Sequence, residues 1–153
     1  MAVSRLAPGG QPVTEKIFVD ADVLVAAHDL DAGERRAIAE HILRQLWEDR
    51  TGVLSAFVLQ EFYGALIGGA ASPVPRRAAR ELVDAYGVWP IVPLEAADIL
   101  VASDIEERHR QPFRDALIVA AAHKARATLL LSAQILPARH ITGMEVRNPF
   151  AYS

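Results

Sequence analysis

Cysteine is absent from the 153-residue chain, so neither a disulfide framework nor a thiolate metal site can form. Lysine is scarce: Lys16 and Lys124 stand alone against 14 arginines. The longest purely apolar run, Ala116 to Ala122, is about a third of the roughly 20 residues that a membrane span requires. The first sixteen residues carry Pro8, Gly9, Gly10, Pro12 and Glu15 and have no stretch that suits a signal peptide. Internal repeats and low-complexity tracts are missing. The histidines (His28, His41, His109, His123 and His140) show no zinc-type pairing and read as surface residues. There is no Gly-x-Ser-x-Gly elbow, Walker loop or Rossmann fingerprint. These absences leave a cytoplasmic protein as the default expectation.

What is present is a chain that is 52% hydrophobic and 23% charged, long enough for one core. Residues 1–15 read as a loose tail and 16–153 as a single domain. A net charge of −3 argues against coating nucleic acid through overall positive charge. It leaves room for an acidic pocket beside a local arginine patch. The arginine excess suits bidentate phosphate contacts, and a GC-rich genome would give the same bias.

Apolar periodicity then orders the chain. Strands are expected at Lys16–Val19, Gly52–Leu54, Val88–Val92, Thr128–Leu131 and Glu145–Arg147. Helices are expected from Val23 with Asp22 as N-cap, over Gly33–Asp49, from Ala56 to about Leu66 behind the cap Ser55, and over Arg76–Tyr86. Two more follow, from Ala96 to about Arg108 and over Arg114–Ala125. The helix behind Ser55 is broken by Gly68-Gly69, and Pro112 stops the one before Arg114. Short buried strands alternating with helices predict an α/β fold whose mostly parallel sheet is covered on both faces.

In such a sheet, sites form beyond the carboxyl ends of the strands. Asp20 ends the first strand, and a carboxylate there must be paired, protonated or bound to something. Asp115 opens the very apolar helix, either as a ligand or as a complement to the helix's positive end. Glu61 lies at the margin of an apolar arc, facing either a site or solvent. Asp22 is a cap or a ligand, and Ser132 is a turn cap or a partner for a site carboxylate. Arg76, Arg77, Arg80, Arg108, Arg110 and Arg114 are candidates for phosphate contacts or a solvated face; Arg114 is favoured because it adjoins Asp115.

Three segments, Phe18-Val19-Asp20-Ala21-Asp22-Val23-Leu24, Ser55-Ala56-Phe57-Val58-Leu59-Gln60-Glu61-Phe62 and Phe113 to Ala122, resemble the acidic motifs of the PIN-domain family in order and spacing. Leu130-Leu131-Ser132 and Val146-Arg147-Asn148-Pro149-Phe150 are similar to its closing segments. The resemblance spans roughly residues 16 to 151 and looks most like the VapC-type toxins of bacterial toxin–antitoxin pairs. It implies a PIN-like three-layer sandwich and a Mg²⁺- or Mn²⁺-dependent endoribonuclease. Asp20 and Asp115 would ligate the metal, with Glu61 acting directly or through water. It further implies an RNA substrate, a VapB-like antitoxin and a homodimer.

One departure stands out. Where the family usually places an aspartate two residues after the serine, this chain has Gln134, whose amide oxygen ligates without adding charge. Asp22, where the family often has asparagine, is a candidate to return that charge. A nuclease of reduced activity, or a catalytically weakened or inactive PIN-fold binding module, is therefore the alternative. A haloacid-dehalogenase-like phosphatase, suggested by Asp20-Ala21-Asp22, is a further one; it requires a downstream lysine and a late acidic pair.

Overall fold

A computed structural model describes residues 5–6, 12–13, 15–69, 73–135 and 143–151. Strands β3 (Ile17–Val19), β4 (Gly52–Ser55), β5 (Ile91–Val92), β6 (Leu129–Leu131) and β7 (Glu145–Arg147) form one parallel sheet in the order β5-β4-β3-β6-β7. Every residue of β3 and β6 is buried. Because successive strand residues point to opposite faces, both faces of the sheet centre are covered, as the apolar runs predict. The covering helices are α1 (Ala21–His28), α2 (Glu34–Asp49), α3 (Ala56–Gly64), α4 (Arg76–Tyr86), α5 (Ala96–His109) and α6 (Phe113–Lys124). The α/β expectation holds.

Several boundaries differ for local reasons. Asp20 rather than Asp22 caps α1, since the chain leaves β3 at Val19 and turns at once, and Ala21 N–H donates to Asp20 Oδ1 at 2.7 Å. Ser55 does cap α3, accepting from Val58 N–H at 3.1 Å. The Gly68-Gly69 pair does not break that helix abruptly; it widens into a π-turn over Ala65–Gly69. β5 is shorter than expected because residues 87–89 form a turn, closed by Trp89 N–H donating to the Tyr86 carbonyl at 3.0 Å; the Trp89 ring packs over Gly52, where an added Cβ would clash with it. Within the expected tail, Arg5–Leu6 (β1) pairs antiparallel with Pro12–Val13 (β2).

One apolar cluster runs from Ile17 to Phe150. At one side, Tyr86 is the hub of an aromatic group, its ring 5.6–5.8 Å from those of His28, Trp47, Phe62 and Trp89. Edge-on pairs of this kind each contribute about 0.5–1.5 kcal/mol beyond their buried area. His28 is therefore not a surface residue: it is half-buried, with Nε2 2.8 Å from the Tyr86 hydroxyl.

The sheet order sets the site. From β3 the chain steps to β4 and then β5 on one side, and returns to β6 on the other. That reversal opens a crevice beyond the carboxyl ends of β3 and β6. Asp20 and Ser132 follow those two strands directly.

Candidate functional site

Asp20 is fully buried, and its carboxylate is held from several directions. Ser132, also fully buried, donates its hydroxyl to Asp20 Oδ2 at 2.8 Å and accepts from the amides of Gln134 (3.2 Å) and Ile135 (3.0 Å). The loop after β6 is thereby locked to the end of β3. Glu61 reaches the same point from the middle of α3 with 29% of its side chain exposed, and Asp115 from the first turn of α6 with 14% exposed. The three acids expected to form a site do converge.

They converge on Arg114. Its Nη2 donates to Asp20 Oδ1 and Glu61 Oε1, both at 2.6 Å. Its Nη1 donates to Asp20 Oδ2 and Asp115 Oδ1, and its Nε to Glu61 Oε2, all at 3.1 Å. Burial disfavours the charged guanidinium, but the hydrogen bonds and charges of Glu61 and Asp20 outweigh it and hold the group firmly protonated. Arg114 is thus bound to the site acids in this structure.

Asp22 lines the same recess without capping the helix. Its Oδ2 accepts from Ala133 N–H at 2.8 Å, while Oδ1 is buried with no hydrogen-bond partner among the described residues. Burial, then the neighbouring Asp20 charge, push its carboxyl up to about 6. Gln134 lines the recess beside Glu61 and Arg114. So does Arg35, a residue that the sequence did not single out; its guanidinium carbon lies 5.0 Å from the Phe150 ring centroid. Its signal was Phe150 itself, whose segment returns to α2 only in the fold. The recess has a volume of about 450 Å³.

The other basic candidates lie elsewhere. Arg77 and Arg108 pair with Glu81 and Asp104 on exposed helix faces. Lys124, the lysine a phosphatase would need, is tied to Asp98 at 2.7 Å and to the Pro93 carbonyl at 3.2 Å. No acid follows Ser132 along the described loop, since Ala133 and Gln134 come next. The phosphatase reading loses its residues.

The donor set fits a hard divalent cation: three carboxylates meet on one guanidinium, and a fourth, Asp22, lines the adjoining recess and keeps one buried oxygen without a hydrogen-bond partner among the described residues. In the arrangement seen, those carboxylates close on the guanidinium, and no cluster of three acids or histidines among the described residues is set to hold a metal.

Comparison with known proteins bears on the fold and the family. Residues 17–133 match the PIN domain family. Comparison with curated protein sequences gave no significant match. Among solved structures, the sarcin–ricin-loop-cleaving toxin VapC20 of Mycobacterium tuberculosis is similar at 21% identity and TM-score 0.59, over 75% of this chain and 87% of that one. A toxin–antitoxin complex from Klebsiella pneumoniae is similar at 19% identity and TM-score 0.64, over 90% and 100%. VapBC2 from Rickettsia felis, bound to a promoter DNA fragment, is similar at 16% identity and TM-score 0.61, over 86% and 97%. The match covers most of the chain and includes Asp20, Glu61, Asp115 and Ser132, and with it the chain belongs to the PIN-domain family.

Proposed function

We propose that the chain is a VapC-type toxin, an endoribonuclease that hydrolyses RNA phosphodiester bonds where Asp20, Glu61 and Asp115 converge, beside the recess that Glu61 lines. The observation that carries this reading is the convergence of three carboxylates from separate elements at the carboxyl edge of a PIN-family sheet. Mg²⁺ or Mn²⁺ is the cofactor, held by those three with Asp22 as a further oxygen donor. When bound, such an ion supplies positive charge against a phosphate oxygen and makes an attacking water more acidic.

The chain's own groups do the rest. Asp20 is held in place by Ala21 N–H and the Ser132 hydroxyl, so its carboxylate needs no reorganisation on binding. Glu61, the most exposed of the three acids, would hold the metal directly or through water once Arg114 releases it. Gln134 lines the same recess and offers an amide there without adding charge. Arg35 at the rim, and Arg114 when it leaves the acids, are the phosphate contacts.

Around this site we place residues 16–153 as one PIN-like domain acting in the cytoplasm; no helix among the described residues is long and apolar enough to cross a membrane. A VapB-like antitoxin is the neutralising partner, as the toxin–antitoxin complexes among the structural relatives suggest. A groove of about 710 Å³ supports it as a seat, with Leu30, Trp47 and Leu82 offering apolar contact and Arg36, Glu40, Arg44 and Glu48 offering charge. A homodimer draws support from Ile99, Leu100 and Val101, exposed together on α5.

A second reading, an inactive binding module, is favoured by Gln134 in place of an acid and by the guanidinium among the carboxylates. Incubation of the purified chain with total RNA separates the two. Cleavage that needs Mg²⁺ or Mn²⁺, stops with EDTA and falls about 100-fold in Asp115→Asn supports the nuclease. RNA retention without cleavage at any metal concentration supports the binding module.

A further inference from the structure

Arg114 has a partner set that its sequence position does not suggest. It makes five hydrogen bonds to three carboxylates and covers both oxygens of Asp20, both of Glu61 and one of Asp115. These are the oxygens that a divalent cation would use. Magnesium needs its oxygens at about 2.0–2.1 Å in near-octahedral geometry. A planar guanidinium already spread across the same carboxylates blocks that approach and repels the incoming charge.

We infer that Arg114 is an internal counter-cation competing with divalent metal for Asp20, Glu61 and Asp115, so that the site takes metal only as the arginine withdraws. The inference rests on the nuclease reading of this site and adds a regulation to it.

Three features make the exchange workable. One guanidinium offsets a single charge, so three ionised carboxylates beside it remain net negative and still attract a cation. The arginine side chain is 26% exposed, against none for Asp20, so it has a route outward that the acid lacks. The recess that Arg114 lines together with Asp22, Asp29 and Gln134 opens to solvent, which gives the side chain room on its exposed side. Metal affinity is then the intrinsic affinity reduced by the fraction of molecules with Arg114 withdrawn.

The test is Mn²⁺ affinity by calorimetry on the full chain stripped with EDTA, for wild type, Arg114→Gln, Arg114→Lys and Asp20→Asn. Glutamine removes the competing charge and should bind Mn²⁺ at least about tenfold more tightly than wild type, a difference of about 1.4 kcal/mol. Lysine keeps the charge but loses the fork, and should fall between them. Should Arg114→Gln fail to fold with its acids unpaired, the lysine variant carries the comparison. Equal or weaker affinity in the Arg114 variants, with binding still lost in Asp20→Asn, overturns the competition and leaves the nuclease reading standing. No Mn²⁺ binding by any variant at millimolar metal overturns both.

Discussion

Removing the Ser132 hydroxyl should cost the protein more than a typical serine would. In Ser132→Ala, Asp20 loses a 2.8 Å donor, and the Gln134 and Ile135 amides lose their acceptor. A hydrogen bond to a charged group is worth about 1.5–3 kcal/mol, and a buried amide left without a partner costs about 1 kcal/mol or more. Gln134 lines the open recess, so water can satisfy its amide, whereas the Ile135 residue is buried and its amide stays unpaired. The space left by one hydroxyl is too small to admit a water. The expected loss is about 3 kcal/mol, read from urea unfolding in EDTA as a lower midpoint at unchanged slope. A loss below about 0.5 kcal/mol would refute the claim that Ser132 fastens the end of β3 to the loop after β6.

Gly52→Ala should destabilise by about 1–3 kcal/mol, because the new methyl displaces the Trp89 ring and disturbs its contact with Tyr86; intrinsic tryptophan fluorescence should shift with it. His28 should make stability pH-dependent. Burial, with Arg36 adding to it and Glu40 opposing, lowers its pKa below 6.5, so the folded state favours the neutral ring. That contribution is present above 6.5 and is lost as pH falls through 6.5 toward the lower folded value. Urea midpoints taken from neutral to mildly acidic pH should decline less in His28→Gln than in wild type; parallel declines would remove His28 as the cause.

The elements whose signals are local were readable from the sequence. Ser55 caps α3 because its hydroxyl needs only the amide of Val58, three residues on. Asp20 stood out because an acid abutting a buried strand demands a partner wherever the rest of the chain goes. The choice between Asp20 and Asp22 as cap was not readable, since both precede apolar runs and only the end of β3 decides it. Arg114 was harder still. Its partners lie 94 residues away at Asp20 and 53 away at Glu61, and its long stem lets the guanidinium reach acids that helix-wheel geometry does not place beside it. His28 was misjudged for a similar reason, because its partner Tyr86 is 58 residues distant. Arg35 meets Phe150 only once the last strand has returned to α2. Ser132 was readable as a partner for a site carboxylate although Asp20 lies 112 residues away, whereas the long-range partners of Arg114, His28 and Arg35 carried no local signal.

The central claim is that Asp20 lies at the heart of a metal-dependent RNA-cleaving site. The most direct test is single-turnover cleavage of RNA by wild type and Asp20→Asn, both confirmed folded by circular dichroism, with Mn²⁺ present. Asparagine keeps the shape and removes the charge, so the account predicts a fall of at least about 100-fold in rate. Cleavage by Asp20→Asn at the wild-type rate would contradict it.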